Sequence, residues 1–203
     1  GPAVTITNVN SATTTVTGLA AGAGVVTLRW RISNGTCAPS DDFVDIRNDV
    51  QPVANAGAGG DVCGIGVGNP FTFTGVASVG TGLWTQQSGP GLSTFVDATD
   101  ATTDVSVDTY GTYVYRWTET NGTCNDFDEV TVNFWENPTA SAAGADIFQC
   151  NNTTFTMAAN VPLVGTGTWT QTAGPAVTIT NVNSATTTVT GQAAGAGVVV
   201  LRR

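Results

Sequence analysis

Along this chain, apolar and polar residues alternate in short runs broken by Gly, Pro, Asn and Asp. Over 112–120, Tyr113, Tyr115 and Trp117 share one parity, with Thr112, Val114, Arg116 and Thr118 on the other. That is the period of two expected of a strand with one face buried. Phe71 and Phe73 likewise share a face, with threonines opposite. Turn clusters recur every eight to twelve residues, the spacing of a β-sandwich. The pattern predicts strands over 52–56 continuing toward 62, then 71–77, 82–87, 103–107, 112–120 and 129–134. A further extended stretch is expected near 93–97. Gly-Pro pairs at 1–2, 89–90 and 174–175 punctuate the exit from the strand of the 82–87 type. No apolar run approaches the roughly 20 residues of a membrane-spanning helix.

The pattern also repeats. Residues 80–90 read GTGLWTQQSGP and residues 165–175 read GTGTWTQTAGP, an offset of 85. NGTC at 34–37 returns at 121–124, and RW at 29–30 returns at 116–117, both offset by 87. Residues 1–30 and 174–203 match at 27 of 30 positions, differing only at Leu19/Gln192, Thr27/Val200 and Trp30/Arg203. A module of about 85–88 residues therefore lies inside a longer duplication. On this reading 1–51 is the C-terminal part of a module, 52–136 a complete one, and 137–203 the N-terminal part of a third. A half-module exposes the apolar face of an open sheet, which water disfavours. Either the window is cut from a longer array, the favoured reading, or separate copies complete one another.

Composition narrows the function. The 203 residues carry six cations, all Arg, against fifteen acids, with no His and no Lys, for a net charge of -9. Enrichment in Thr and Val with only three Glu favours strands over helices. The charge excludes a phosphate-neutralising nucleic-acid surface. The missing His and Lys remove the commonest general base, the commonest metal ligand and every Schiff-base nucleophile, so no enzyme is expected. Trp84 and Trp169, each in a GTGxWTQ strand, invite a sugar-stacking role. A core role is favoured, because so small a module needs a large buried anchor. Trp30 and Trp117 are read as core for the same reason, and Trp135, beside Glu136-Asn137-Pro138, as packing at a junction between modules.

The order of P-x-A-N-A-G, cysteine, GTGxWTQxxGP, TTxVTG, RW, SNGTC and SDDFVxI resembles the PKD-like or Ig-like repeats of very large type IX-secreted surface proteins of Bacteroidota, the gliding adhesins among them. The W-D-F-G-D-G motif of PKD domains proper is absent. The resemblance spans the whole chain. It implies tandem Ig-like or PKD-like β-sandwiches arranged head to tail. It also implies an extracellular, cell-surface setting and a stalk or filament role in an adhesin, with neighbouring modules, other copies and surface glycans as partners. The alternative is a carbohydrate-binding accessory module of a secreted hydrolase, which needs a flat row of exposed rings, with Tyr110, Tyr113 and Tyr115 as candidates.

Cys37, Cys63, Cys124 and Cys150 are spaced by 26, 61 and 26, with no C-x-x-C pair and no His to suggest a metal. In an exported chain they are disulfide candidates. The predicted strands place Cys63 and Cys124 at opposite poles of one sandwich, about 23–33 Å apart, whereas a disulfide needs Cα atoms within about 7 Å. Stacked modules instead bring each strand-end cysteine toward the turn cysteine of the next module. Asp41, Asp42 and Asp45, and Asp126, Asp128 and Glu129, are possible calcium ligands. The favoured reading makes them solvated turn residues that protect an edge strand. N-x-S/T sequons at Asn34, Asn121, Asn151 and Asn152 double as turn residues. No other cofactor is expected.

Overall fold

A computed structural model describes residues 1–66 and 68–202. Every regular element among them is a β-strand. The chain divides into two compact units, Gly1–Trp135 and Glu136–Arg203.

In the first unit the strands are β1 (Thr5–Ile6), β2 (Val16–Thr17), β3 (Val25–Ile32), β4 (Ser40–Arg47), β5 (Gly60–Cys63), β6 (Phe71–Thr72), β7 (Thr81–Ser88), β8 (Ser93–Phe95), β9 (Asp104–Val107), β10 (Gly111–Asn121) and β11 (Cys124–Trp135). A four-stranded sheet runs β5-β11-β10-β7 and a three-stranded sheet runs β6-β9-β8. Both contribute to one core of Phe73, Trp84, Val105, Val107, Tyr113, Tyr115, Trp117, Val130, Val132 and Phe134. β10 and β11 form a long hairpin in continuous register from Gly111↔Phe134 to Asn121↔Cys124. β5 lies along the far edge of β11 and runs parallel to it, with Trp135 beside Cys63. The pairs β1–β2 and β3–β4 form separate two-stranded sheets.

The alternation of rings builds this core. The inward parity of β10 buries Tyr113, Tyr115 and Trp117 to 1% exposure or less. Phe73 stacks on Trp84 with ring centroids 3.9 Å apart, and Trp84 lies 5.3 Å from Trp117. Tyr113 meets Phe134 edge to face at 5.6 Å. Each such tryptophan removes about 150–250 Å² from water, an upper bound of about 4–6 kcal/mol. Gly82 makes room for one of them. A Cβ there would stand 1.9 Å from the Trp117 ring, so only glycine lets the indole lie flat on β7.

Three predicted strands differ from the observed ones. That of 129–134 begins already at Cys124, so Asp126 and Asp128, read as turn residues, lie within it. Residues 52–56 are extended but hold only a single bridge, Asn55↔Val76, on one side. On the other side their amides bond to side chains rather than to a ladder. The 71–77 strand is shortened to Phe71–Thr72. Beyond Thr72 only separate contacts continue, the Phe73 amide donating to the Thr103 carbonyl at 3.0 Å and the Val76 amide to that of Asn55 at 2.9 Å.

The second unit holds β12 (Thr154–Thr156), β13 (Thr170–Ala173), β14 (Thr178–Ile179), β15 (Thr188–Thr190) and β16 (Val200–Arg202). They form a sheet β12-β15-β14 and a pair β13-β16. Trp169, 3% exposed, anchors a small cluster with Ala159 and Ala185, against which Met157, Ile179 and Leu201 pack.

Candidate functional site

The tyrosines considered for a sugar-binding row do not form one. Tyr113 and Tyr115 are wholly buried, and Tyr110 is half-buried. The Tyr113 hydroxyl donates to the Thr109 carbonyl at 2.7 Å, and that of Tyr115 bonds with Ser93 Oγ at 2.8 Å. Burial pushes the Tyr115 phenol up to about 12, against the opposing pull of its Ser93 hydrogen bond. Of the four tryptophans read as core, Trp84, Trp117 and Trp169 are 3% exposed or less, but Trp30 is 41% exposed. Trp30 lies on β3, which pairs only with β4 among the described residues, so no strand lies beside it as β7 lies beside Trp117. Trp135 is 60% exposed at the end of β11, and its indole N–H donates to Asp61 at 2.7 Å. That bond and one from Asn133 hold the Asp61 carboxyl below the usual carboxylate range.

The acids weighed as calcium ligands bind the protein's own donors. Asp41 takes a two-pronged hydrogen bond from Arg31, both contacts 2.8 Å, which lowers its pKa. Asp42 accepts the Phe43 amide at 2.9 Å. Asp126 accepts the Ala54 amide at 3.0 Å and Asp128 the Ala56 amide at 2.9 Å. Both are alternate residues of β11, so their side chains reach sideways along one row and clasp the extended segment 52–56. Glu129 pairs with Arg116 at 2.7 Å. Among the described residues no group of three or more His, Cys, Asp and Glu could hold a metal ion.

A further set of directed polar contacts in the first unit lies at the β10–β11 turn, where residues 47–51 dock. Arg47 pairs with Asp49 at 2.7 Å, and Asp49 Oδ2 accepts the Thr123 amide at 3.2 Å. Asn121 Nδ2 donates to the Val50 carbonyl at 2.8 Å, and Gln51 Nε2 donates to the Asn125 carbonyl at 2.7 Å. Cys124 Sγ lies 3.9 Å from the Asp49 carbonyl oxygen. Gly122 has a φ of 61°, and a Cβ on it would stand 1.9 Å from the Asp49 carboxylate. The Asn-Gly turn therefore serves both the hairpin and the docking of the preceding segment. Sequence reasoning identified the turn but missed Asp49 and Gln51, which carry no motif.

No disulfide joins Cys37, Cys63, Cys124 and Cys150 among the described residues. Cys63 lies beside Trp135 and Cys124 opens the same strand, eleven residues earlier. At about 3.3 Å per residue these positions are about 36 Å apart, so a Cys63–Cys124 bond does not fit this fold.

Glu119 was not anticipated. It is 1% exposed and follows Trp117 on the inward parity of β10. It accepts the Trp117 indole N–H at 2.9 Å, the Ser78 amide at 2.9 Å and the Ser78 hydroxyl. Burial pushes its pKa up. The hydrogen bonds from Ser78, Trp117 and the Ser78 and Val79 amides outweigh that push and leave it below the ordinary value. The strand parity is the signal that would have found it.

Neither a family model nor a curated protein matches the chain. Among solved structures it is similar to the endo-fucoidan hydrolase MfFcnA4 of glycoside hydrolase family 107. That match is 13% identical, covers 93% of this chain and 32% of the other, and has a TM-score of 0.32. Domains 4–9 of the surface layer protein SbsC match at 14% identity, over 90% of this chain and 32% of that one, with a TM-score of 0.28. The chain thus spans about a third of the length of these structures. Likenesses at such scores carry no argument about function.

Proposed function

We propose that this chain is a structural segment of β-sandwich modules in a secreted cell-surface adhesin, acting as a stalk or filament stretch. The observation that carries the reading is the docking of residues 47–51 onto the β10–β11 turn. There an ion pair and three side-chain hydrogen bonds hold what would otherwise be a slack linker. A linker so held favours a fixed spacer over independent beads on a flexible string. The sheet order β12-β15-β14 in the second unit, parallel to β6-β9-β8 in the first, supports the modular reading. The burial of Tyr113 and Tyr115 favours a spacer over a sugar-binding module, whose contact rings would have to be exposed.

Two measurements test this function. Immunogold labelling of producing cells with an antibody to 52–136 is expected to mark material projecting from the surface. Label confined to the cell interior would overturn the reading. A glycan array probed with the purified chain is expected to show no saturable binding. Saturable binding lost on replacing an exposed ring would move the assignment to the carbohydrate-binding alternative.

A further inference from the structure

We propose that Asn121 is a site of self-deamidation held unreacted by the docked segment 47–51, and that its product blocks redocking. The turn itself supplies the reactants. Gly122 has a φ of 61°, in the left-handed region that favours glycine. A Cβ there would also run into the Asp49 carboxylate and the Arg47 guanidinium. Hairpin and dock therefore both require a residue without a side chain after Asn121. That same lack of a side chain leaves the Gly122 nitrogen open to attack the Asn121 amide.

The reaction needs no group beyond these two residues and water. The Gly122 nitrogen bonds to Asn121 Cγ as its proton is lost. The Cγ–Nδ2 bond breaks, and Nδ2 takes up a proton and leaves as ammonia. Water then opens the cyclic imide at either of its carbonyls. Position 121 becomes aspartate, or isoaspartate, in which the main chain runs through Cγ and is longer by a methylene. Nothing is oxidised or reduced.

The docked turn opposes ring closure. Asn121 Nδ2 donates to the Val50 carbonyl at 2.8 Å, which ties the side-chain amide to the segment. Asn121 also pairs with Cys124 at the end of the β10–β11 register, so its backbone is fixed. Asp49, whose side chain is 11% exposed, lies against Gly122 and accepts the Thr123 amide at 3.2 Å. Its charge opposes the negative charge that gathers on the Gly122 nitrogen as the proton leaves. Gln51 Nε2 holds the segment to the turn through the Asn125 carbonyl at 2.7 Å. Cyclisation therefore requires 47–51 to lift, and its rate follows the population of the lifted state.

The product does not fit the place its precursor held. A carboxylate at 121 has no N–H for the Val50 carbonyl and sets a second negative charge beside Asp49. The extra methylene of isoaspartate disturbs the ladder that runs in register from Gly111↔Phe134 to Asn121↔Cys124. Each opening that goes on to react is thus made permanent, and 47–51 stays free. The inference shares the dock with the spacer reading but needs no cell-surface role.

Incubating the 203-residue chain at mildly alkaline pH, then measuring peptide masses and isoaspartate content, reads conversion at Asn121. Cleavage after Arg31, Arg47 and Arg116 puts Asn121 and the other Asn-Gly pair, at 34–35, in separate peptides. Gln51→Ala removes a dock contact without changing charge, and is expected to convert Asn121 about three- to tenfold faster than the unaltered chain. Asn121→Asp supplies the product directly. In that variant, brief trypsin treatment of the folded chain is expected to cut after Arg47 about tenfold faster or more, while Arg116, within β10, stays protected. The near-ultraviolet signal of the Trp84–Trp117 pair reports that the core survives in both variants. Conversion no faster in Gln51→Ala than in the unaltered chain would overturn the inference, as would cleavage after Arg47 indifferent to Asn121→Asp. Neither result bears on the immunogold labelling, so the two readings can fail separately.

Discussion

Glu119 occupies the inward parity of β10 after Tyr113, Tyr115 and Trp117, so a carboxylate takes the fourth place in a row of rings. It stays ionised there because every donor around it points at its oxygens. Glu119→Gln would turn an amide N–H toward the Ser78 and Trp117 donors. The substitution is expected to cost about 1–3 kcal/mol, read as a lower urea midpoint with an unchanged slope. The sign of the pH dependence follows from the lowered folded pKa. The stability Glu119 lends is present above its unfolded value of about 4.3 and is lost as pH falls through the folded value. Glu119→Gln should therefore flatten the acid limb of a stability profile. Tyr115 acts at the other end of the scale. Its folded pKa of about 12 exceeds an unfolded value of about 10, so stability should fall as pH rises from about 10 toward 12. Tyr115→Phe should remove that part of the alkaline slope, and an unchanged slope would disprove the assignment.

At the scale of elements, the carboxylates of β11 replace a strand ladder. Asp126→Ala and Asp128→Ala together should release 52–56. The Ala54 and Ala56 amides would then exchange with deuterium about tenfold faster or more, while amides in β10 stay protected. No change at Ala54 and Ala56 would refute the clasp. This arrangement also explains what could be read in advance. β7, β10 and β11 were legible because alternating rings and threonines mark a strand with one wet face, and the GTGxWTQ repeat fixed their place in the order. The segment 52–56 looked like an ordinary strand because nothing in P-V-A-N-A says that its partners are side chains 72 residues away. The acids responsible were visible, but their spacing of two along a strand resembles a loop ligand set as closely as a row of clasps. Trp30 was misread for a different reason. Its repeat partner Trp117 has β7 beside it, and among the described residues β3 has no strand in that place. Burial depends on the neighbours available, which a local motif does not state.

At the scale of the molecule, the junction at the β10–β11 turn governs how freely residues 1–47 move against the core that follows. Asp49→Ala removes the partner of Arg47 and the acceptor of the Thr123 amide. The variant should keep the thermal midpoint of the 52–135 core while ¹⁵N relaxation shows β3 and β4 tumbling more independently. Identical relaxation in the two proteins would show that the dock is not held by Asp49. The parallel pairing of β5 with β11 has a mechanical consequence. The chain reaches this core through Pro52 and leaves it after Trp135. A pull on the two ends therefore drags β5 and β11 in opposite directions along their shared line. Gly60–Cys63 against Val132–Trp135, with the Asp126 and Asp128 contacts further along, is then loaded in shear, and its bonds must break together rather than unzip singly. Under tension the Asp126→Ala, Asp128→Ala protein should give way at a lower force in single-molecule pulling, since the row that resists sliding is shorter.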